Sequence, residues 1–318
     1  MKINKIPGYK LIFTKKIKKK ISNDISKILS SGNLMSGLNV KKLEDKFKKL
    51  HNTKFAIACS SGGSALEIIF RSLNLRNKEI ILPSNTFIAT YNAVKFSGSI
   101  PVLADTKKNS LNTSLDEIKK KVSNKTKAIC VVHVGSYVCE DIIEIRKYCK
   151  RKNFYLIEDC AHSILTKYKN IYSGNFGDAA AFSMVASKSV TSGEGGVITT
   201  NNKSLNKKFK LMRSYGMSSK YGYFDYKYFS SNYRMNELEA SVGYHHLSNY
   251  NLYLKRKKEI EKFYDLNLTK FKKYSNNSKT NLYKYILILK NSQEKKKLKK
   301  FLEKNRIFLA GDVYQKPL

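Results

Sequence analysis

Short apolar runs alternate with longer amphipathic segments along the chain from Lys54 onward. Seven of these runs are too short for helices, and we interpret them as buried strands. They are Lys54–Cys59, Glu79–Leu82, Ile100–Ala104, Ala128–Val132, Phe154–Glu158, Asp178–Phe182 and Gly196–Thr200. Between most of them, apolar residues recur at helical spacing, for example at Ile142, Ile145 and Cys149. The alternation predicts an α/β fold with a mostly parallel seven-stranded sheet sandwiched by helices.

The segments before and after these strands follow other patterns. Residues Ile17–Leu50 are predicted to form two helices, interrupted at Gly32 and Gly37. Met235–Leu266 contains no proline and a single glycine, which predicts one long helix. The remaining pattern predicts a strand at Leu282–Leu289, an amphipathic helix at Gln293–Lys304 and a short strand at Ile307–Leu309.

These patterns divide the chain into two predicted domains. Residues 1–235 are expected to form a large domain with an N-terminal helical arm, and residues 236–318 a smaller α+β domain. A chain of 318 residues is long enough for both. The arm could reach over the site or over a neighbouring subunit.

Charge and cysteine content restrict the function and the compartment. The formal net charge of +37 is typical of nucleic-acid or membrane-surface binding, but the lysines are spread along the whole chain. We therefore interpret them as solvated surface residues and expect neither partner. No stretch resembles a signal peptide, and no run of about 18 apolar residues predicts a membrane span. The five cysteines form no Cys-x-x-Cys pair, so neither zinc nor disulfides are indicated and a cytoplasmic protein is expected.

Chemically active side chains follow several of the predicted strands. In doubly wound sheets, ligands bind at the carboxyl ends of the strands. Small residues in Ser60–Leu66 lead from the first strand into a helix, and amides at a helix N-terminus suit a phosphate. Phe87 follows the second strand, and Asp159 and His162 follow the fifth. An acid at such a position is costly to bury without a partner, which favours a functional role.

Lys188 lies between Ser183, at the end of the sixth strand, and the glycine-rich turn Gly193–Gly196. Desolvated lysines are the ones that form Schiff bases. Taken singly, each feature has a structural explanation: a turn, a core ring, one surface lysine among many. The combination of a phosphate cradle, an aromatic ring, a buried acid, a serine and a lysine at the edge of one sheet predicts a pyridoxal-phosphate site.

Six motifs occur in order from about Ile17 to the end of the chain. They are Ser30–Gly32 with Gly37 and Leu43-Glu44, Ser61–Leu66, Pro83–Thr90, Ile157–His162, Phe182–Gly196 and Asn232–Met235. In this set and order the sequence resembles the DegT/StrS family of pyridoxal-phosphate-dependent nucleotide-sugar aminotransferases. That family has the aspartate-aminotransferase fold, fold type I. The whole set is specific, whereas any single motif is weak.

The resemblance implies a role for each candidate residue. Lys188 would bind the cofactor as a Schiff base and then act as the acid and base that moves the substrate proton. Asp159 would pair with the pyridine nitrogen and keep the ring an electron sink. The other implied cofactor-binding residues are Gly62, Gly63 and Ser183 at the phosphate, Phe87 on the ring face, His162 at the phenolic oxygen, and Asn232 at the phosphate of the neighbouring subunit. No metal is implied.

The implied activity is the amination of the keto group of a nucleotide-linked sugar, with an amino acid, most simply glutamate, as donor. The active unit would be a homodimer with shared active sites, and the product would feed surface polysaccharides. Related sugar dehydratases replace the Schiff-base lysine, so the presence of Lys188 argues against them. A non-catalytic or regulatory relative, binding the cofactor, another ligand or nucleic acid, is the alternative from another class.

Three features depart from the family pattern. Gly63 occupies a position where the family usually has threonine, which removes a hydroxyl from the phosphate cup but keeps the backbone N–H. The stretch His133–Tyr137 is shorter than the usual His-x-x-Gly form, and a structural role explains His133 at least as well as a substrate contact. Family members usually continue for several tens of residues beyond Leu318, so a truncated small domain is a further expectation.

Overall fold

A seven-stranded sheet lies at the centre of the protein, whose computed structural model describes residues 5–220 and 223–310. In these ranges the strands are β1 (Phe55–Cys59), β2 (Glu79–Pro83), β3 (Ile100–Ala104), β4 (Thr126–Val132), β5 (Tyr155–Asp159), β6 (Lys167–Tyr168), β7 (Ile171–Tyr172), β8 (Ala179–Ser183), β9 (Gly196–Thr200), β10 (Met217–Lys220), β11 (Tyr223–Tyr226), β12 (Lys272–Lys273), β13 (Ser278–Lys279) and β14 (Leu287–Ile288). The α-helices are α1 (Lys15–Ser31), α2 (Leu38–His51), α3 (Gly62–Leu73), α4 (Ile88–Phe96), α5 (Leu115–Lys119), α6 (Ile142–Lys152), α7 (Lys203–Met212), α8 (Glu237–Ser248), α9 (Tyr250–Asn267) and α10 (Ser292–Lys304).

The central sheet has the strand order β1-β9-β8-β5-β4-β2-β3. Only β9 runs antiparallel to its neighbours, and the other pairs are parallel. All seven predicted strands are present and overlap their predicted ranges. The prediction of a mostly parallel seven-stranded sheet is therefore confirmed.

Apolar residues fill both faces of the sheet because successive side chains of a strand point to opposite sides. On one face, Ile57 of β1 and Ile157 of β5 pack with Phe70 of α3. On the other face, Phe182 of β8 packs with Phe47 of α2, whose ring centroid lies 5.0 Å away. Burial on both faces explains why the strands are continuous apolar runs.

The N-terminal arm consists of two helices, as predicted. Gly32 ends α1 with a left-handed φ of 67°, and Gly37 precedes α2. The buried carboxylate of Glu237, at the start of α8, accepts hydrogen bonds from the backbone N–H groups of Gly37, Asn39 and Val40 at 2.7–2.9 Å. A carboxylate at a helix N-terminus is favourable, and this one fixes α2 against α8.

Two predictions for the C-terminal part are corrected by the structure. The predicted helix Met235–Leu266 is two helices, α8 and α9, separated at Asn249, whose side-chain amide donates to the carbonyl of His245 at 2.7 Å. Asparagine competes with helical hydrogen bonding in this way. The predicted strand Leu282–Leu289 is reduced to β14, because only two of its residues pair with β12.

The end of the described chain is close to its prediction. The helix predicted at Gln293–Lys304 is confirmed as α10. The short strand predicted at Ile307–Leu309 is a single bridge between Ile6 and Ile307 instead. The division into two domains after residue 235 stays a prediction. No helix within the described ranges is long and apolar enough to cross a membrane.

Candidate active site

The start of α3 and the end of β8 form a cradle of small residues. Ser61 caps α3 by accepting a hydrogen bond from the backbone N–H of Ser64 at 3.0 Å. Gly62 lies so close to the end of β8 that an added Cβ would be 2.7 Å from the Cβ of Ser183. At Gly63, an added Cβ would make only ordinary van der Waals contacts, the nearest of them 3.6 Å away. Backbone N–H groups at this helix end are therefore accessible to an anion.

Asp159 ends β5, and the residue is 95% buried. Its Oδ2 accepts a hydrogen bond from the hydroxyl of Thr90 at 2.8 Å, and its Oδ1 accepts one from the backbone N–H of Ala161 at 3.0 Å. Thr86 lies 2.8 Å from the Thr90 hydroxyl and extends this network. These partners compensate for the burial of the carboxylate and fix its orientation.

His162 lies on the loop after β5. Its Nδ1 accepts a hydrogen bond from the backbone N–H of Gly135 at 3.2 Å, which leaves the ring proton on Nε2. Burial lowers the pKa of His162 well below its usual range, and the charges of Lys188 and Lys284 add to this effect. His162 is therefore a neutral imidazole with one N–H available for donation.

Lys188 lies in the loop between β8 and β9, close enough to Asp159 and His162 to interact with them electrostatically. The pKa of Lys188 is lowered to about 8, chiefly by burial; the carboxylate of Asp159 opposes this effect and the charge of the nearby Lys284 adds to it. A lysine with this pKa is partly neutral near physiological pH, as a nucleophilic amine requires. Its Nζ lies 3.5 Å from the hydroxyl of Tyr283.

Residues from the C-terminal part of the chain support the loop that contains Lys188. The Nζ of Lys257, on α9, donates to the hydroxyl of Ser189 at 2.9 Å. The Nδ1 of His246, on α8, accepts from the backbone N–H of Thr191 at 3.3 Å. Side chains of α9 and α8 thus hold the loop at Ser189 and Thr191.

Two predicted residues lie at the border of the site. Phe87 precedes α4 and is 51% exposed. Asn232 is exposed, and its Oδ1 accepts a hydrogen bond from the backbone N–H of Arg234 at 3.2 Å. In the described part of the chain, no hydrogen bond links Asn232 to another predicted site residue. Tyr233 fixes this segment next to the cradle, because its carbonyl accepts from the backbone N–H of Ser60 at 2.8 Å.

His133, Glu158 and Cys160 form a buried group whose spacing could suit a metal ion. Their ligand atoms have other partners, however. The Nε2 of His133 is 2.9 Å from Glu158, whose carboxylate also accepts three backbone N–H groups at 2.7–2.8 Å, and the Nδ1 of His133 accepts from Cys139. This network joins the ends of β4 and β5, so it favours the structural interpretation of His133.

The side chains around Lys188 fit pyridoxal phosphate chemically. The site combines an amine of lowered pKa, an oriented carboxylate, a neutral imidazole with a free N–H, and the accessible start of α3. The space beside Gly62 and Gly63 would be reduced by larger side chains. A phosphate, a pyridine nitrogen, a phenolic oxygen and an aldehyde each have a suitable protein group here.

Comparison with known proteins identifies the family to which the chain is similar. The chain matches the DegT/DnrJ/EryC1/StrS aminotransferase family over residues 15–318. It is 31% identical over 303 residues to GDP-perosamine synthase of Escherichia coli O157:H7, covering 93% of the chain and 81% of that enzyme. It is 34% identical over 248 residues to dTDP-3-amino-3,6-dideoxy-alpha-D-galactopyranose transaminase of Aneurinibacillus thermoaerophilus, covering 77% and 67%. Helicobacter pylori PseC, an aminotransferase involved in the biosynthesis of pseudoaminic acid, superposes with a TM-score of 0.89 at 26% identity, covering 98% and 86%.

The chain therefore belongs to the DegT/DnrJ/EryC1/StrS aminotransferase family of pyridoxal-phosphate-dependent enzymes. This result confirms the predicted family, the predicted fold and the predicted cofactor. The chain spans 62% to 65% of the length of several further curated relatives.

Several contacts of the site were not predicted from the sequence. Thr90 lies in a recognised motif, but its hydrogen bond to Asp159 spans 69 residues. Tyr283 and Lys284 lie in a segment predicted only as a strand, and Tyr283 reaches Lys188 across 95 residues. Sequence periodicity does not report contacts at such separations.

The cradle leads to a testable contrast between its two glycines. Gly62→Ala should destabilise the protein by about 1–3 kcal/mol, because the new methyl group would overlap Ser183. It should also weaken cofactor binding by displacing the start of α3. Gly63→Ala is the matched control, since its added methyl has room and the backbone N–H is retained. Urea unfolding and cofactor titration of both variants measure this contrast, and equal behaviour of the two would contradict the described cradle.

Proposed function

We propose that the protein transfers an amino group from an amino acid, with glutamate as the proposed donor, to the keto carbon of a sugar linked to a nucleoside diphosphate. The main observation is the partly neutral amine of Lys188 beside Asp159 and His162 at the carboxyl ends of the strands. The names of the relatives include GDP, dTDP and UDP sugars, which supports the substrate class and leaves the nucleotide open. Synthesis of a surface polysaccharide is the proposed role.

Each predicted residue has a proposed task in holding the cofactor. The amides of Gly62 and Gly63 and the hydroxyl of Ser183 would bind its phosphate. Asp159 would pair with the pyridine nitrogen, and the Nε2–H of His162 would donate to the phenolic oxygen. When bound, pyridoxal phosphate supplies an electron sink that makes the substrate carbon acidic.

Lys188 would act twice in this proposal. Its neutral amine would hold the cofactor aldehyde covalently, with loss of water, and the amine of the donor would displace it. The free Nζ would then accept a proton from the amino-bearing carbon of the donor, as a general base, and donate it to the cofactor, as a general acid. A pKa of about 8 suits both tasks, because each protonation state is populated near neutral pH.

The protein is further proposed to act in the cytoplasm as a homodimer with shared sites. All five cysteines are free and buried, which fits a reducing compartment. Asn232 lies in a motif that the family uses across the dimer, and its exposed side chain accepts a hydrogen bond from the backbone N–H of Arg234.

A shared site predicts complementation between two inactive variants. Lys188→Ala and Asn232→Ala should each be impaired alone. When they are refolded together, mixed dimers should regain part of the activity, because one of their two sites keeps both residues. Assays of mixtures in which native mass spectrometry detects heterodimers would measure the recovery. No recovery in such mixtures would indicate self-contained sites.

Transfer of labelled nitrogen tests the proposed function. The protein would be incubated with pyridoxal phosphate, ¹⁵N-glutamate and, in separate reactions, keto-sugar derivatives of GDP, dTDP and UDP. The proposal predicts ¹⁵N in the nucleotide sugar of at least one reaction, detected by mass spectrometry, and none with Lys188→Ala. Cofactor binding without nitrogen transfer to any of the three would instead support the non-catalytic alternative.

A further inference from the structure

Tyr283 enters the site from the C-terminal part of the chain, between β13 and β14. Its hydroxyl lies 3.5 Å from the Nζ of Lys188. Its ring faces the imidazole of His162, with a centroid distance of 4.5 Å and an angle of 31° between the ring planes. Tyr283 thus touches two of the residues proposed to handle the cofactor.

Lys284 lies beside the same phenol ring. Its Nζ is 4.8 Å from the centroid of the Tyr283 ring, and the Nζ of Lys188 is 5.0 Å from that centroid. Two ammonium groups therefore share one aromatic ring, an attractive geometry for each cation separately. The Lys284 ammonium donates to the carbonyl of Ala310, and no ion pair neutralises Lys284 in the described residues. Its positive charge consequently acts on Lys188.

The position of this pair is fixed by buried hydrogen bonds. Asn281, two residues before Tyr283, is fully buried. Its backbone N–H donates to the hydroxyl of Ser136 at 3.0 Å, and its side-chain amide donates to the carbonyls of His162 and Ile164 at 3.0 and 2.9 Å. Such a fully bonded buried amide specifies one arrangement of the segment. Tyr283 is therefore held beside the loop of His162.

We propose that Tyr283 and Lys284 are positioning residues for Lys188: the Tyr283 hydroxyl orients the reactive amine, and Lys284 disfavours its protonation by placing a second positive charge nearby. The inference rests on the proposed function only in taking Lys188 as the reactive amine. A phenol accepts a hydrogen bond from an ammonium and donates one to a neutral amine, so Tyr283 can orient Lys188 in both states. A distance of 3.5 Å is long, but such contacts often shorten when the ligand is bound.

Other groups around Lys188 influence the same amine. The carboxylate of Asp159 favours the charged form, whereas burial and the Lys284 ammonium oppose it. Further titratable groups of the described residues that contact Lys188 or its loop include His162, Tyr283, Lys257 and His246. Lys284 is the positive charge that acts on Lys188, and no proposed cofactor contact involves Lys284. Its removal must raise the pKa of Lys188, because a like charge disfavours the protonated form.

The electrostatic part is tested on the cofactor-free protein with Lys284→Met. Competitive acetylation with acetic anhydride, resolved by peptide mass spectrometry, measures how the reactivity of Lys188 depends on pH. The midpoint should lie at about 8 in the original protein and move upward by roughly 1 pH unit in the variant. Lys279→Met is the matched control, because the exposed Lys279 ammonium contacts Asn170 instead. Its midpoint should be unchanged.

The orienting part is tested with Tyr283→Phe, which keeps the ring and removes only the hydroxyl. The rate of pyridoxal-phosphate attachment to Lys188, followed by absorbance, should fall about 10-fold, as expected for one lost hydrogen bond. Tyr285→Phe is the control, since the Tyr285 hydroxyl donates to Asp265 at 2.9 Å. Unchanged titration in Lys284→Met together with unchanged attachment in Tyr283→Phe would overturn the proposal. Neither measurement uses a sugar, so a failure of this inference can be distinguished from a failure of the proposed transfer reaction.

Discussion

Lys188→Ala should reduce amino transfer by about 10⁴-fold, because the variant lacks both the attaching amine and the proton-transfer group. The fold should persist, since the buried carboxylate of Asp159 keeps its hydrogen bonds from Thr90 and Ala161. The loss is measured as the steady-state rate of nucleotide amino-sugar formation with glutamate as donor. Circular dichroism and urea unfolding of the same samples exclude misfolding as the cause.

Lys207→Ala provides the matched control for this variant. Lys207 is an exposed residue of α7, where alanine is a good helix former. Its rate should equal that of the unmodified protein. An active Lys188→Ala variant, or an equally inactive Lys207→Ala variant, would contradict the role proposed for Lys188.

Asp159→Ala should lower the transfer rate by about 10³-fold, a loss typical of removing a preorganised electrostatic group. The carboxylate is expected to keep the pyridine nitrogen protonated, whereas the cradle at Gly62 and Ser183 anchors the phosphate. Cofactor retention should therefore fall much less than the rate. Parallel measurements of the rate and of the cofactor dissociation constant give this comparison.

Two further variants separate the charge of Asp159 from its packing. Asp159→Asn keeps the shape and should remain slow, because a neutral amide does not stabilise a protonated pyridine. Asp159→Glu keeps the charge and should recover part of the rate. Near-normal turnover in the asparagine variant would show that the carboxylate does not tune the ring.

The central sheet could be predicted from the sequence because its signal is local. Each strand is a short apolar run. The observed bounds of Ile100–Ala104, at the edge of the sheet, and of Gly196–Thr200, which is buried throughout, equal the predicted ones. Gly32 and Gly37 likewise marked the break between α1 and α2 by their backbone chemistry. Such features depend on a few neighbouring residues.

The C-terminal part was less predictable because its structure depends on distant partners. No glycine or proline marks the end of α8, and Asn249 terminates it through a side-chain hydrogen bond that many asparagines do not make. The apolar pattern of Leu282–Leu289 satisfied the requirements of a strand. In the structure, Leu287 and Ile288 are the residues of this segment that pair with β12, so the strand is limited to these two residues.

The site shows the same division between local and distant information. Asp159 and Lys188 could be selected because their residue types are unusual at strand ends. The contacts that tune them come from Thr90, Tyr283 and Lys284, which lie far away in sequence. Their contribution follows from packing, which one sequence does not reveal.

Mapping the covalent attachment of pyridoxal phosphate tests the central claim most directly. Lys257 is the alternative lysine to which the cofactor could attach, because burial also lowers its pKa to about 8. It lies on α9, however, and contacts Ser189 and Asn281. The cofactor-loaded protein would be reduced with borohydride, digested and analysed by mass spectrometry. The account predicts the pyridoxyl group on Lys188, with attachment that becomes faster as the pH rises through about 8 and the amine becomes neutral. A pyridoxyl group on Lys257 or on another lysine, with Lys188 unmodified, would contradict it.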